Sequence, residues 1–359
     1  MLTDQEEKSI LNKSHDLELI RDIALARRKR MARYEGEVDR AVETFRPNLD
    51  RSEKVQIAGK VRDAMRENLI SAEEYFLYDF EHASNELRRE FVGDIEWAIL
   101  CARIYSQNPS SEAMFSKYET YFAFQDFFAR EVIQVDLDAR GGGALNRLLD
   151  FMRRNAQAIV KPDRKSRGEG IFIANVVDEA SLDEVVKRIK GLGPCVLEGL
   201  IKQSDGMAQF HPGSVNTVRC ATYMHEAAGQ ELIFAVLRMG RGSSIVDNGG
   251  SGGICAAVDP ESGLVVGLGT TEQGERFKEH PDTRVPIVGQ TIPRWEDLER
   301  TVGQLARVIP GQRYVGWDLA LTDGGWVLVE ANAGGQIEIC QMSLRRGMRD
   351  VVERTLGRL

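Results

Sequence analysis

The sequence predicts an α+β protein in which a helical N-terminal region precedes a region of mostly antiparallel sheet. Only three of the 34 glycines precede residue 141, and glycine marks turns and close backbone approach. The first 100 residues include 39 charged residues with apolar residues spaced between them, which is typical of amphipathic helices. From residue 158 onward, short runs rich in β-branched residues alternate with turn residues, which is typical of strands.

Two local signals predict helices in the N-terminal region. Apolar residues between 17 and 31 recur at the spacing of one helix face, and Ser71 with Glu74 forms the pattern of a capping box. Five basic residues lie between 27 and 33. We interpret them as a solvated helix face rather than a patch for nucleic acid or an anionic surface, because neighbouring acids oppose their field.

The strands of the second region are predicted from composition and from the turn residues that bound them. Two longer segments with helical spacing separate some of these strands. The predicted strands are AIVKP from 158, GIFIANV from 170, CVLEGLI from 195, NTVRCATYM from 216, LIFAVLRMG from 232, GICAAVD from 253, LVVGLG from 264, YVGWDLAL from 314 and WVLVEANA from 326, and the predicted helices are SLDEVVKRIKGLG from 181 and RWEDLERTVGQLARVI from 294.

Composition also limits the classes of function. The 359 residues carry a net charge of −8, which argues against a nucleic-acid partner. No apolar run approaches the roughly 18 to 20 residues of a membrane span, and the first residues lack a signal-peptide pattern. We therefore expect no membrane partner and a cytoplasmic protein. The five cysteines form no C-x-x-C pair and are expected to be reduced, buried thiols.

Three common nucleotide or hydrolase motifs are not satisfied. Gly59-Lys60 is followed by Val61, so the Walker signature fails. Gly168 and Gly170 begin a G-x-G that continues into a strand rather than a helix, which excludes a dinucleotide fingerprint. The G-x-S-x-G pattern around Ser251 also precedes a predicted strand, whereas a nucleophile elbow needs a helix there.

A glycine-rich hairpin is the first candidate site. The predicted strand that ends at Lys161-Pro162 is followed by a loop with cations and glycines, and such a loop can fold amides and cations over a polyphosphate. An ordinary polar turn is the alternative. About 25 residues later, main-chain groups from Gly199 to Ile201, after the strand that ends at Glu198, could pair with an adenine edge. The loop residues concerned are Arg164, Lys165, Arg167, Gly168 and Gly170.

The second candidate site is the hairpin RYVGWDLALTDGGWVLVEANAGG from 313. A two-residue turn places Asp318 opposite Val329, and a three-residue turn places it opposite Glu330. Glu330 and Asn332 share a face, and Asp318 joins them in the second register. Because the flanking residues look buried, unpaired carboxylates would be costly there. Two carboxylates and an amide oxygen suit Mg²⁺ that also holds phosphate oxygens.

These motifs occur in a recognisable order: V-x-K-P, a glycine-rich hairpin, a strand ending in Glu, N-T-x-R, D-N with glycines, W-D and E-x-N. In this order the sequence resembles the ATP-grasp superfamily over about residues 112–345. It is more narrowly similar to the sugar-transfer-associated, glutamate-ligase-related ATP-grasp group, through HPGSVNTVRCATY, VDNGGSGG, HPDTR, YVGWDLAL and VLVEANAGG. The resemblance implies an ATP-grasp fold, in which two α+β subdomains enclose the nucleotide. The expected regions are a helical region at 1–105, the N-terminal subdomains with the phosphate loop at 106–205, and the C-terminal subdomain with the metal site at 206–359.

The resemblance also implies roles for individual residues. Arg219 would stabilise the γ-phosphoryl group, and Arg238 would be a second catalytic cation on a strand. Lys117 corresponds to a lysine that follows an aspartate in the family, although Ser116 precedes it here. The implied nucleotide-binding residues are Lys117, Lys161, Arg164, Gly168, Gly170, Glu198, Gly199 and Ile201; the magnesium ligands are Asp318, Glu330 and Asn332; and the substrate-binding candidates are Asn248, Ser251 and His280, with Asn248 to Gly253 as an anion-binding nest.

The implied cofactors are ATP and two Mg²⁺ ions. The leading functional hypothesis is a ligase that converts a small-molecule or peptide carboxylate into an acyl phosphate, joins it to an amine-type acceptor and releases ADP and phosphate. Two alternatives remain open. One is a phosphotransferase that acts on a sugar or metabolite hydroxyl, and the other is a non-catalytic nucleotide-binding module.

Overall fold

The computed structural model describes residues 34–105, 114–139, 143–165 and 168–357. The predicted helix at 17–31, the basic cluster at 27–33 and Arg167 lie outside these residues. Within them, the fold contains a helical region, a small antiparallel sheet and a large antiparallel sheet. This arrangement confirms the predicted α+β class with helices at the N-terminal end.

The helical region packs on the large sheet. The Ser71–Glu74 capping box is present as predicted, and a second box joins Asp50 and Glu53. Each box satisfies amide donors that the first helical turn leaves without partners. The helices are α1 (Tyr34–Phe45), α2 (Arg51–Asn68), α3 (Ala72–Leu77), α4 (Asn85–Glu90) and α5 (Asp94–Tyr105).

The small sheet has the strand order β1-β4-β2-β3, and every neighbouring pair is antiparallel. Its apolar residues form a separate core with α7 and α8. The sequence analysis predicted β2, β3, β4 and α8, but it missed β1 and α7. The elements are α6 (Lys117–Phe124), β1 (Val132–Val135), α7 (Gly143–Arg154), β2 (Gln157–Pro162), β3 (Phe172–Asn175), α8 (Glu179–Ile189) and β4 (Cys195–Gly199).

The large sheet has the strand order β11-β10-β5-β6-β7-β8-β9 and is also antiparallel. The predicted strand from 264 is wrong in extent, because Leu264 and Val265 form only isolated bridges. The strands are β5 (Thr217–His225), β6 (Gly229–Met239), β7 (Ile254–Val258), β8 (Gly269–Thr270), β9 (Arg276–Phe277), β10 (Tyr314–Thr322) and β11 (Gly325–Asn332); the helices are α9 (Asp205–Ala208), α10 (Trp295–Leu305), α11 (Glu338–Leu344) and α12 (Arg349–Leu356).

Side chains alternate between the two faces of the large sheet, as the strand period requires. Ala221 and Tyr223 belong to the core shared with the helical region, whereas Val218 and Cys220 belong to the core shared with α10. The sheet is therefore covered by helices on both faces. Polar residues on its strands can remain accessible only where these covers end.

The remaining composition-based expectations concern cysteines and membrane helices. All five thiols are buried and free; burial raises the pKa of Cys255 and Cys340 to about 12. The prediction that the thiols are buried is confirmed. In the part of the chain that the structure describes, no helix has both the length and the apolar character needed to cross a membrane.

Candidate active site

The glycine-rich loop connects β2 to β3 and lies against the large-sheet segment that precedes β7. Gly168 and Gly170 both have φ of +75°, a left-handed conformation that favours glycine. A Cβ atom at Gly168 would lie 2.6 Å from the Asn248 side-chain nitrogen, and one at Gly170 would lie 2.9 Å from Pro162 Cγ. Arg164 is exposed in this loop. The two glycines allow the loop to approach both sheets closely.

Behind this loop, Glu198 is buried between two cations, Lys161 and Arg130. Lys161 Nζ lies 2.8 Å from Glu198 Oε1, and Arg130 Nε donates to Glu198 Oε2 at 2.8 Å. Burial opposes ionisation of Glu198, but Arg130 and Lys161 outweigh it and lower its pKa to about 2. We call Arg130, Lys161 and Glu198 the small-sheet cluster. Its formal charges, two cations and one carboxylate, sum to one positive charge in excess.

This cluster changes the adenine prediction. Both carboxylate oxygens of Glu198 are engaged by protein cations, and the Gly199 amide donates to Glu131 O at 3.0 Å. In this structure both groups therefore have protein partners, and adenine binding by Glu198 and Gly199 stays a prediction that requires these contacts to be exchanged for contacts with the ligand. A role of the main chain at Ile201, which is half-buried, stays a prediction.

Lys117 begins α6 and reaches toward the glycine-rich loop. Its ammonium group donates to the carbonyl oxygens of Asp163, at 3.3 Å, and Lys165. Ser116 caps the helix and donates to Asp163 Oδ2 at 2.9 Å. The expected aspartate at position 116 is absent for a physical reason, because it would place a second carboxylate beside buried Asp163.

Both hairpin registers that the sequence left open occur in the β10–β11 pair. Thr322 pairs with Gly325 across a two-residue turn, but Asp318 pairs directly with Glu330. A β-bulge between these pairs shifts the register by one residue, which moves subsequent side chains to the opposite face. Because of this bulge, Glu330 lies on the polar face with Asp318 instead of sharing the buried face of Leu328.

Two arginines from neighbouring strands surround Asp318. Arg219 donates to both carboxylate oxygens at 2.7 and 2.6 Å, and Arg238 donates to Oδ2 at 2.8 Å. Arg238 also lies 3.6 Å from Asp247, whose carboxylate accepts from Thr217. We call Arg219, Arg238, Asp247 and Asp318 the large-sheet cluster. All four are buried, and their charges balance.

Burial acts on both carboxylates of the large-sheet cluster with different outcomes. For Asp318, burial opposes ionisation but the two arginines prevail, so its pKa is lowered. For Asp247, burial prevails over Arg238 and raises its pKa. Asp318 is therefore the more firmly ionised carboxylate of the two.

The predicted metal ligands fit a hard cation in their chemistry. Asp318 Oδ1 accepts one hydrogen bond, from Arg219, and a carboxylate oxygen has a second lone pair. Asn332 donates through Nδ2 to Asp318 at 3.4 Å, which leaves its oxygen as the ligating atom. Glu330 has a side chain that is 38% exposed. Among the described residues no three carboxylate, histidine or cysteine side chains gather as a metal site.

Lys117 connects the two halves of the candidate site. Its ammonium nitrogen lies 3.8 Å from Glu330 Oε1 while it contacts the glycine-rich loop. Lys117 thus lies between the glycine-rich loop and Glu330, one of the metal-binding candidates. No single sequence segment could reveal this proximity.

His280, one of the predicted substrate-binding residues, makes its contacts within the protein. His280 is fully buried; its Nε2 contacts Gly240 O at 2.8 Å and its Nδ1 accepts from the Asp282 amide. Burial also lowers the pKa of His280. Both ring nitrogens of His280 therefore have protein partners, and its substrate-binding role stays a prediction.

The segment from Asn248 to Gly253 also closes on itself. Asn248 caps a short 3-10 turn by accepting from the Ser251 amide at 2.8 Å, and the amides of Gly252 and Gly253 donate within the segment. Three amides of the predicted anion-binding nest therefore have partners within the segment, and the substrate-binding roles of Asn248 and Ser251 stay predictions. Strand β7 follows directly, which confirms that Ser251 is not in a nucleophile elbow.

Sequence reasoning missed two residues of the site, Arg130 and Asp247. Arg130 lies in a segment whose strand was not predicted, and no motif marks it. Asp247 directly precedes Asn248 in the D-N motif that carried the resemblance, so a signal for it was present. Arg130 was missed because its partner Glu198 lies 68 residues away along the chain.

Comparisons with known proteins agree with the motif order. Residues 128–356, more than half of the chain, match the family described as sugar-transfer associated ATP-grasp. No protein of curated function matches. Similar solved structures include the ATP-grasp ligase PsnB with a minimal precursor (12% identity, TM-score 0.42, 73% of this chain and 68% of that chain) and D-alanyl-alanine synthetase A from Vibrio cholerae (12%, 0.42, 69% and 67%).

A third similar structure is N5-carboxyaminoimidazole synthetase from Staphylococcus aureus complexed with ADP (8% identity, TM-score 0.43, 70% of this chain and 53% of that chain). The family match covers α7, both sheets and α12, which include every predicted metal ligand and all but one of the predicted nucleotide-binding residues. The chain belongs to the sugar-transfer associated ATP-grasp family.

Proposed function

We propose that the protein is an ATP- and Mg²⁺-dependent ligase that activates a substrate carboxylate as an acyl phosphate and couples it to an amine-type acceptor. One observation carries this proposal: Asp318 and Glu330 are directly paired on the polar face of β10 and β11, and Lys117 joins that face to the glycine-rich loop. In this proposal, Lys117 lies where oxygen ligands for Mg²⁺ meet the cations that would bind phosphate.

The charged residues of this chain would have different roles in the reaction. Lys117 and Lys161 would hold phosphate oxygens, and Arg219 would stabilise charge on the transferred γ-phosphoryl group. Bound Mg²⁺ would supply charge neutralisation between phosphates and carboxylates. Every one of these protein charges now has a protein partner, so nucleotide binding would exchange protein ion pairs for contacts with the ligand.

The reaction does not require a covalent nucleophile of the protein. A substrate carboxylate oxygen attacks the γ-phosphorus and ADP leaves; an amine then attacks the acyl carbon and phosphate leaves. The five thiols are buried and their pKa values are raised by burial, so they are poorly suited to nucleophilic roles.

A phosphotransferase is the second candidate function, because the family description refers to sugar transfer. It would use the same phosphate and metal residues but would stop after transfer to a hydroxyl group. The two candidates differ in the product of the first step. A ligase makes a mixed anhydride, whereas a phosphotransferase makes a stable phosphate ester.

The test is a screen of amino acids, sugar acids and sugars for ADP release with Mg²⁺-ATP, followed by hydroxylamine trapping without amine. We expect release of ADP with an acid and formation of its hydroxamate. The Cys220→Ser variant serves as a matched control and should form the same product. AMP with pyrophosphate would contradict the proposal, and a phosphorylated product that resists hydroxylamine would establish the phosphotransferase.

A further inference from the structure

Arg130 contacts residues of both sheets at the candidate site, although no sequence motif marks it. Its guanidinium group is 5% exposed and binds Glu198 through Nε and Nη2. The same group lies 4.5 Å from the centroid of the Phe128 ring and donates to Phe128 O at 3.0 Å. These contacts fix the planar group in one orientation, which a fork-shaped donor permits and an ammonium group does not.

The remaining donors of Arg130 reach the edge strand of the large sheet. Nη1 donates to Leu328 O at 2.7 Å, and Nη2 lies 3.5 Å from Val329 O. Val329 is the residue that the β-bulge leaves without a partner on β10, between the pairs Leu319–Leu328 and Asp318–Glu330. A bulge disrupts the local strand ladder, and carbonyl groups buried without a partner would be costly. Arg130 therefore supplies hydrogen bonds at the residues that orient Glu330.

We propose that Arg130 is a positioning residue that fixes the β11 bulge and thereby holds Glu330 in the metal-binding arrangement. Through Glu198 the same group contacts Lys161 of the phosphate half, so Arg130 links the two halves. The metal part of this inference rests on the proposed function, whereas the effect on the bulge does not.

The test compares Arg130→Lys with the wild-type protein in two measurements. Lysine keeps the charge beside Glu198 but cannot bind Glu198 and the two carbonyl groups together. We expect faster hydrogen exchange in the peptide that covers residues 325–332 and no change in β5 and β6. We also expect the Mg²⁺ concentration that half-saturates ATP binding to rise about 10-fold or more, the range typical for residues that orient metal ligands.

The affinity for ATP without Mg²⁺ should change less than about threefold in Arg130→Lys, because the substitution keeps a positive charge beside Glu198 and leaves Lys161 in place. The Arg154→Lys variant is the matched control, since Arg154 pairs with Glu131 at the surface. It should alter neither measurement. If Arg130→Lys does not fold, Phe128→Leu removes the ring beneath the guanidinium and should accelerate exchange in the same peptide.

Unchanged exchange in residues 325–332 of the Arg130→Lys variant would overturn the proposal. Faster exchange with an unchanged Mg²⁺ requirement would also overturn it, because the bulge would then not set the metal ligand. Failure of the wild-type protein to bind Mg²⁺-ATP would instead contradict the proposed function, and the exchange measurement would still decide the role of Arg130.

Discussion

The small-sheet cluster and the large-sheet cluster bury similar ions but differ in charge balance. The first combines Arg130 and Lys161 with Glu198 and has one positive charge in excess. In the second, Arg219 and Arg238 are balanced by Asp247 and Asp318. An excess cation suits a polyphosphate, whereas a neutral cluster with an accessible carboxylate nearby suits a metal ion. Under the proposed function, the small-sheet cluster would contact phosphate only, whereas the large-sheet cluster would combine a metal ligand with Arg219 at the γ-phosphoryl group.

Neither cluster is explained by stability alone. Moving charges out of water is costly, and a well-packed apolar replacement of a buried ion pair is often as stable. Removing one partner is different, because it leaves an uncompensated buried charge and typically costs about 3–5 kcal/mol. We interpret both clusters as functional sites whose charges are held by protein partners when no ligand is present.

The largest expected effect is a loss of turnover when the large-sheet cluster loses its metal ligand. Asp318→Asn should lower turnover at least about 10²-fold, a loss of roughly 2.7 kcal/mol of transition-state stabilisation, because a metal ligand is removed. ATP affinity measured without Mg²⁺ should change little. Turnover assays and calorimetric titrations with and without Mg²⁺ would check both expectations.

The matched control for this variant is Asp297→Asn, which alters an exposed carboxylate paired with Arg294 and Arg300 on α10. It should retain wild-type turnover. Near-native turnover of Asp318→Asn at saturating Mg²⁺ would show that the metal site is wrongly placed, and the functional division between the clusters would then be lost.

The second expected effect is a loss of protein stability in acid that comes from Glu198 of the small-sheet cluster. The pKa of Glu198 is lowered from 4.5 to about 2, so the unfolded chain binds a proton in acid that the folded protein does not. Its stabilising contribution is present above pH 4.5 and is lost as the pH falls toward 2. We expect about 2 kcal/mol of this contribution to be lost between pH 6 and pH 3.

Denaturant unfolding of the wild-type protein and of Glu198→Gln at both pH values measures this contribution. The difference in unfolding free energy between the two proteins should shrink by about 2 kcal/mol at pH 3. A difference that stays constant with pH would mean that Glu198 is not ionised against Lys161 and Arg130, and that the small-sheet cluster lacks its assigned charges.

The sequence predicted the parts of this fold that depend on local signals. The capping box at Ser71, the strands β2 and β10, and the placement of Asp318, Glu330 and Asn332 on one hairpin followed from spacing and composition. The bulge could not be derived, because each register is locally acceptable and only tertiary packing selects their combination.

The contacts of Arg130 and His280 depend on residues that are distant along the chain. Arg130 lies 68 residues from Glu198 and 198 from Leu328 along the chain, so no pattern in one segment could identify it. His280 looked like a substrate ligand because its motif resembled the family. Its burial and its contact with Gly240 became visible only in three dimensions.

The smallest expected effect lies at the junction of the clusters, where Ser116 begins α6 and Lys117 reaches Glu330. Ser116→Ala should destabilise the protein by about 1 kcal/mol, because the helix loses its N-terminal cap. Aspartate normally caps as well as serine. Here Ser116→Asp should be at least as destabilising as alanine near pH 7, since the new carboxylate would face buried Asp163.

Thermal unfolding of the two Ser116 variants at pH 7 and pH 4.5 separates capping from charge repulsion. The decrease in unfolding temperature that Ser116→Asp causes relative to the wild-type protein should be smaller at the lower pH, where one of two adjacent carboxylates can take up a proton. The decrease in unfolding temperature caused by Ser116→Ala should depend less on pH, because this variant has no added charge. Wild-type stability of Ser116→Asp at pH 7 would mean that Asp163 tolerates a carboxylate beside it, and the serine before Lys117 would then have no electrostatic explanation.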